Sequence, residues 1–138
     1  MSNLTSTSSI EALGRASAEL PQVDLKTDHH FAGGIYARRV YRPAGTIIVG
    51  KKHRSEHFYV VASGCVEVAG KDGNRRYFAG DIVVTKPGEQ RAVYALVDSI
   101  CITFHRTDET DPEKIEKELV EECGFSRFDH NNLLESKS

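Results

Sequence analysis

No run of apolar residues in this 138-residue chain approaches the roughly 20 needed to cross a bilayer as a helix. There is no excess of basic charge either: 18 Lys and Arg stand against 20 Asp and Glu, a formal net charge of −2. Without that excess the chain is poorly suited to neutralising phosphates, which argues against a nucleic-acid polymer or a membrane surface as partner. Cysteine is scarce. Cys65, Cys101 and Cys123 are odd in number, widely spaced and form no C-x-x-C pair, so they read as reduced thiols and not as a disulfide framework. The opening MSNLTSTSSI lacks the charged-then-apolar order of a secretory signal, and a cytoplasmic location is expected. No internal repeat is visible.

What is present is ordinary in amount and informative in order. A hydrophobic fraction of 39% and a charged fraction of 28% suit one globular domain with a single core. Residues 1–29 read as an extension: a Ser/Thr-rich start, then SIEALGRASAEL, whose Ile10, Leu13, Ser17 and Leu20 share a helical face. Ser8 and Glu11 fit a capping box, and Pro21 ends the pattern.

Residues 30–106 change period. GIYARRVY, GTIIVGK, HFYVVAS, CVEVAG, RRYFAG, DIVVTK, RAVYALV and SICITFH are short β-branched and aromatic runs. PAG, KDGN, AGD and PGE punctuate them, and Asp72-Gly73 marks a hairpin. About eight strands at this spacing predict an all-β sandwich or barrel. Residues 107–138 return to helix, with Asp111 as N-cap, Pro112 in the first turn and Ile115, Leu119, Val120 and Cys123 as the apolar stripe. Gly124 is the expected stop, and the acidic run from Glu116 to Glu122 is expected to face water. The pair His29-His30 is placed before the first strand, at the surface or an interface.

The strand region resembles the cupin family of small jelly-roll barrels. Its first motif, G-x5-H-x-H-x3-4-E-x6-G, aligns with Gly45, Lys51, His53, His57 and Gly64. Lys51 stands at one histidine place and His57 at the glutamate place. The second motif, G-x5-P-x-G-x2-H-x3-N, aligns with Gly80, Lys86, Gly88, Arg91 and Ala95. The pattern is also similar to that of small cupin-like proteins of tailed phages, which implies the host cytoplasm as location. The resemblance implies a double-stranded β-helix, commonly paired as a homodimer or higher homo-oligomer.

Residues four apart on an extended strand lie roughly 13 Å apart, so His53 and His57 can share a ligand only where the chain folds back. The cupin pattern implies a turn at Arg54-Ser55-Glu56. Lys51, His53, His57 and Tyr59 then face the barrel interior, with Arg91 opposite and His105 as a further inward candidate. Three uses follow. Lys51, His53, His57, Tyr59 and Arg91 form a pocket for a small anionic molecule such as a phosphate, nucleotide or carboxylate. Alternatively His53, His57 and either His105 or Glu56 hold Zn or Fe in a metal-dependent enzyme of dioxygenase or isomerase type. A third use is metal-free acid–base chemistry, pairing His53 with Tyr59 or Tyr94. Beside these stand a phage structural module with no ligand, and Arg91 as a plain salt-bridge residue with Glu89.

Overall fold

The computed structural model describes residues 25–70 and 73–120. Nine strands and one helix make up this part: β1 Thr27–Ala32, β2 Ile35–Arg42, β3 Ile47–Val49, β4 His57–Ser63, β5 Cys65–Gly70, β6 Gly73–Phe78, β7 Ile82–Thr85, β8 Ala92–Ala95, β9 Ser99–Arg106 and α1 Pro112–Leu119. All strand pairs are antiparallel. One sheet runs β1-β2-β9-β4-β7 and the other β3-β8-β5-β6. This is the expected all-β jelly roll, two sheets facing each other across a common interior.

Alternation along each strand decides what faces that interior. On β9 the buried Cys101 and His105 alternate with Ile100, Ile102 and Phe104, which are less buried. Val61, Val66, Val68, Val93 and Cys101 form the core, flanked by Tyr59 and Tyr77. The opposite face of the larger sheet carries apolar side chains exposed to solvent, among them Phe58, Ile82 and Val84.

Glycine matters most at Gly64, between β4 and β5. Its φ is +87°, and a Cβ there would come within 2.3 Å of Ser99 Oγ and 2.6 Å of the Asp98 carbonyl oxygen. Only a residue without Cβ lets β4 turn into β5 against the β8–β9 connection. The hairpin expected at Asp72-Gly73 is bracketed by the pair Gly70↔Gly73. Gly73 has φ +107° and is the first residue of β6.

Three expectations need correction. The first strand opens at Thr27, earlier than expected, and takes His29 and His30 into β1. Polar TDHHFA lacks the β-branched signature, and its strand character comes from pairing with β2. The helix ends at Leu119 and not near Gly124. Asp111 caps it, its carboxylate accepting from Glu113 N, but Val120 is extended at φ −111° and ψ 133° and pairs with His53 in a β-bridge. Tertiary pairing thus overrides the helical periodicity. Lastly, Glu116 does not simply face water, as its place below shows. The expected N-terminal helix, Cys123, Gly124 and the tail lie outside the described residues.

Candidate functional site

The interior opens at one end beneath α1. There a cavity of about 160 Å³ is lined by residues of both sheets and by Ile115, Glu116 and Leu119 of the helix. The segment from Gly50 to His57 crosses its mouth. Gly50 N donates to Arg91 O at 2.9 Å, Gly88 N to His53 O at 2.9 Å, and Arg54 N to Leu119 O at 2.7 Å. Gln90 Nε2 adds a bond to Gly50 O at 3.1 Å. The segment is therefore fixed from the β7–β8 connection and from the end of the helix. Arg54, Ser55 and Glu56 are exposed, and the chain bends there as the cupin pattern implies.

That bend brings His53 and His57 together, and β9 supplies His105. The three ring centroids are 4.5, 5.1 and 4.4 Å apart. One ligating atom from each lies within 4.8 Å of the others. Burial drives all three imidazoles towards the neutral form. His53 is held down at about 3, with His57 and Arg38 adding repulsion. His105 is held at about 2, with His57 and His53 adding to the effect of burial. His57 is lowered too, again chiefly by burial.

The second nitrogens are oriented from behind. His57 Nδ1 lies 3.2 Å from Ser55 O. A carbonyl only accepts, so Nδ1 carries the proton and Nε2 the lone pair. His105 Nε2 is 3.0 Å from Thr103 Oγ1, and its ring stacks on the buried Tyr36 at 5.8 Å. Tyr36 Oη in turn meets His29 Nδ1 at 2.6 Å, which gives the half-buried His29 of β1 a supporting place. Its neighbour His30 is exposed.

Neutral imidazoles with oriented outer nitrogens are what a divalent transition metal requires. Zinc–nitrogen bonds of about 2.0–2.1 Å bring tetrahedral ligand atoms to about 3.3 Å from one another. The cluster reaches that by shifts on the order of 1 Å, so His53, His57 and His105 fit such an ion. Glu56, an alternative ligand in the sequence reading, is exposed and is not in the cluster. The turn that unites the histidines carries it away from the cavity.

The cations expected in the pocket are there, but paired. Lys51 Nζ donates to Glu116 Oε1 across the mouth. Arg91 donates to Glu89 Oε2 from Nε at 3.0 Å and Nη2 at 2.7 Å. The plain salt-bridge reading of Arg91 thus holds, although its side chain still lines the cavity, as do Glu89 and Tyr59. Tyr94 does not line it, so of the two tyrosines proposed as acids only Tyr59 shares the space with His53. Sequence reading missed Glu116, Arg38 and Arg42. Alternation along YARRVYR was the available signal for the arginines; nothing in the acidic helix distinguished Glu116 from its neighbours.

No protein-family model matches the sequence, and no curated protein matches it. Solved structures do match in fold. KdgF from Halomonas sp. is 21% identical at a TM-score of 0.55, over 64% of this chain and 83% of that one. The cupin domain of Schizosaccharomyces pombe Cnp3 is 18% identical at 0.54, over 65% and 66%. DMSP lyase DddQ from Ruegeria pomeroyi DSS-3 is 22% identical at 0.55, over 64% of this chain and 50% of that one. The fold is therefore that of cupin-domain proteins. Among the described residues no helix is long and apolar enough to cross a membrane.

Proposed function

We propose that this chain holds one divalent transition metal ion, zinc or iron, on His53, His57 and His105, and uses it to bind and activate a small anionic molecule in the cavity beneath α1. The observation that carries this reading is the convergence of three neutral imidazoles, His57 and His105 buried and His53 half-buried, whose ligating atoms lie within 4.8 Å. His53, His57 and His105 would hold such an ion, and its Lewis acidity would be available to an oxygen of the bound molecule.

The chain's own residues set the conditions. Ser55 O and Thr103 Oγ1 orient two of the rings. The Arg91–Glu89 ion pair lies near His57, its two charges acting on the ring in opposite senses. The Lys51–Glu116 pair ties the loop to the helix over the opening, which restricts water at the centre. One fold neighbour is a DMSP lyase, so in that protein a barrel of this fold serves catalysis.

Metal-free capture of an anion by Lys51 and Arg91 is less well supported. Each already holds a carboxylate, so neither is a buried charge that an incoming anion would stabilise. The test is elemental analysis of protein purified without chelator and then offered Zn²⁺ or Fe²⁺. About one equivalent per chain is expected, falling well below that in His53→Ala, His57→Ala and His105→Ala. Less than about a tenth of an equivalent in the wild type would refute the metal centre, given the affinity three imidazoles confer.

A further inference from the structure

Deeper in the same cavity lies a polar group that the metal reading does not use. Arg42, the last residue of β2, has Nε and Nη1 withdrawn from solvent with no hydrogen-bond partner, and Tyr59 Oη is in the same condition. Arg42, Tyr59 and the Cys101 thiol lie close enough to interact with one another, but none of these contacts satisfies Arg42 Nε, Arg42 Nη1 or Tyr59 Oη as a full hydrogen bond. Both line the cavity.

A guanidinium stays charged in a protein. Burying it without an acceptor is costly, because its lost hydration is not replaced. The other charges do not supply the acceptor. Among the described residues, the cations lining the cavity are Arg38, Arg42, Lys51 and Arg91 and the carboxylates are Glu89 and Glu116, which are engaged by Arg91 and Lys51. Among the described residues, then, no carboxylate is left to accept from Arg42 Nε and Nη1 at the inner end.

We infer that Arg42 and Tyr59 form an inner subsite for a carboxylate, and that the substrate is a short acid whose second oxygen function reaches the three imidazoles. A carboxylate suits both groups, since it is anionic and accepts from a guanidinium and a hydroxyl together. Size limits the rest of the molecule. A cavity of about 150 Å³ takes a molecule as large as benzene, and this one is about 160 Å³. Tyr59 stands two residues along β4 from His57, about 7 Å at strand rise. A few bonds thus separate the carboxylate from the other oxygen group. The reach to the imidazoles rests on the metal centre proposed above; the Arg42–Tyr59 subsite does not.

The experiment titrates malonate, succinate and glutarate into the full chain, in chelator-treated and zinc-loaded forms, by isothermal titration calorimetry. Wild type, Arg42→Met, Arg42→Lys and Tyr59→Phe are compared, and bound zinc is measured in each. At least one diacid should bind the wild type. Arg42→Met should weaken it by about 10- to 100-fold, as loss of a charged hydrogen bond implies, and Tyr59→Phe by about 3- to 10-fold. Zinc content should stay unchanged, and Arg42→Lys should restore part of the affinity. If Arg42→Met does not fold, Tyr59→Phe carries the comparison, since it removes a single oxygen. Equal affinity in wild type and Tyr59→Phe, or no diacid bound by the wild type in either form, overturns the inference. Diacid binding that depends on Arg42 in a chain that takes up no zinc would support the subsite while refuting the metal centre.

Discussion

Acid should destabilise the chelator-treated protein by an amount that the three-imidazole cluster sets. His53 titrates at about 3 and His105 at about 2 in the fold, against about 6.5 in an unfolded chain. Both folded values are depressed, so below pH 6.5 the unfolded state binds protons that the native state refuses. Stability therefore falls as pH drops through 6.5, and it keeps falling until the folded values are reached. Between pH 7 and pH 5 each group contributes about 2 kcal/mol of loss, and the pair about 4 kcal/mol. A small domain has only about 5–15 kcal/mol in total, so a large share of the stability goes within two pH units. Carboxylates titrate mostly below pH 5 and add little in this window.

Urea unfolding at pH 7 and pH 5 reads this directly, with His53→Gln/His105→Gln as comparator. Glutamine keeps a polar side chain but binds no proton, so the double variant should lose about 4 kcal/mol less than wild type over the same interval. Equal losses in the two proteins would refute the reasoning, because they would place the titrating groups elsewhere. Bound metal stabilises the native state at neutral pH and competes with the same protons, so the zinc-loaded protein should show a steeper fall.

The strands were legible because each combines β-branched runs with turn chemistry that admits few alternatives, as at Gly80 and Gly88, both with positive φ. β1 was not, since TDHHFA owes its conformation to β2 and not to its own composition. The site divides the same way. His53, His57, Tyr59 and Arg91 could be placed because motif spacing and strand alternation are local properties. His105 followed from parity along β9. The partners Glu89 and Glu116 decide whether Arg91 and Lys51 seek an anion, and Glu116 comes from a helix 65 positions beyond Lys51. No local period reports a contact of that range. Arg42 shows a different gap: its inward parity was readable, but the unsatisfied state of its Nε and Nη1 is a property of everything around it.

Two further outcomes follow from contacts that hold the site in place. Lys51→Met leaves Glu116 without its partner at the cavity mouth, and each side chain is only about a fifth exposed, at 19% and 23%. A loss of about 1–2 kcal/mol is expected, discounted for that exposure, and a double-mutant cycle with Glu116→Gln should show coupling; additivity would mean the pair is not formed in solution. Gly64→Ala should be far more damaging, because the added methyl meets the Asp98 carbonyl oxygen at 2.6 Å, a backbone atom that cannot rotate aside. With φ at +87° the new side chain also carries the left-handed penalty, so the loss should exceed about 3 kcal/mol. Gly33→Ala is the control: φ is +55° with nothing within 4 Å of the added carbon, leaving about 1–2 kcal/mol of conformational strain alone. Chemical denaturation of the two variants separates the terms, since both share the backbone penalty and only Gly64 has the collision. Equal losses would mean that β4 and β5 can part from the β8–β9 connection, and that the packing at this corner of the barrel is looser than its distances require.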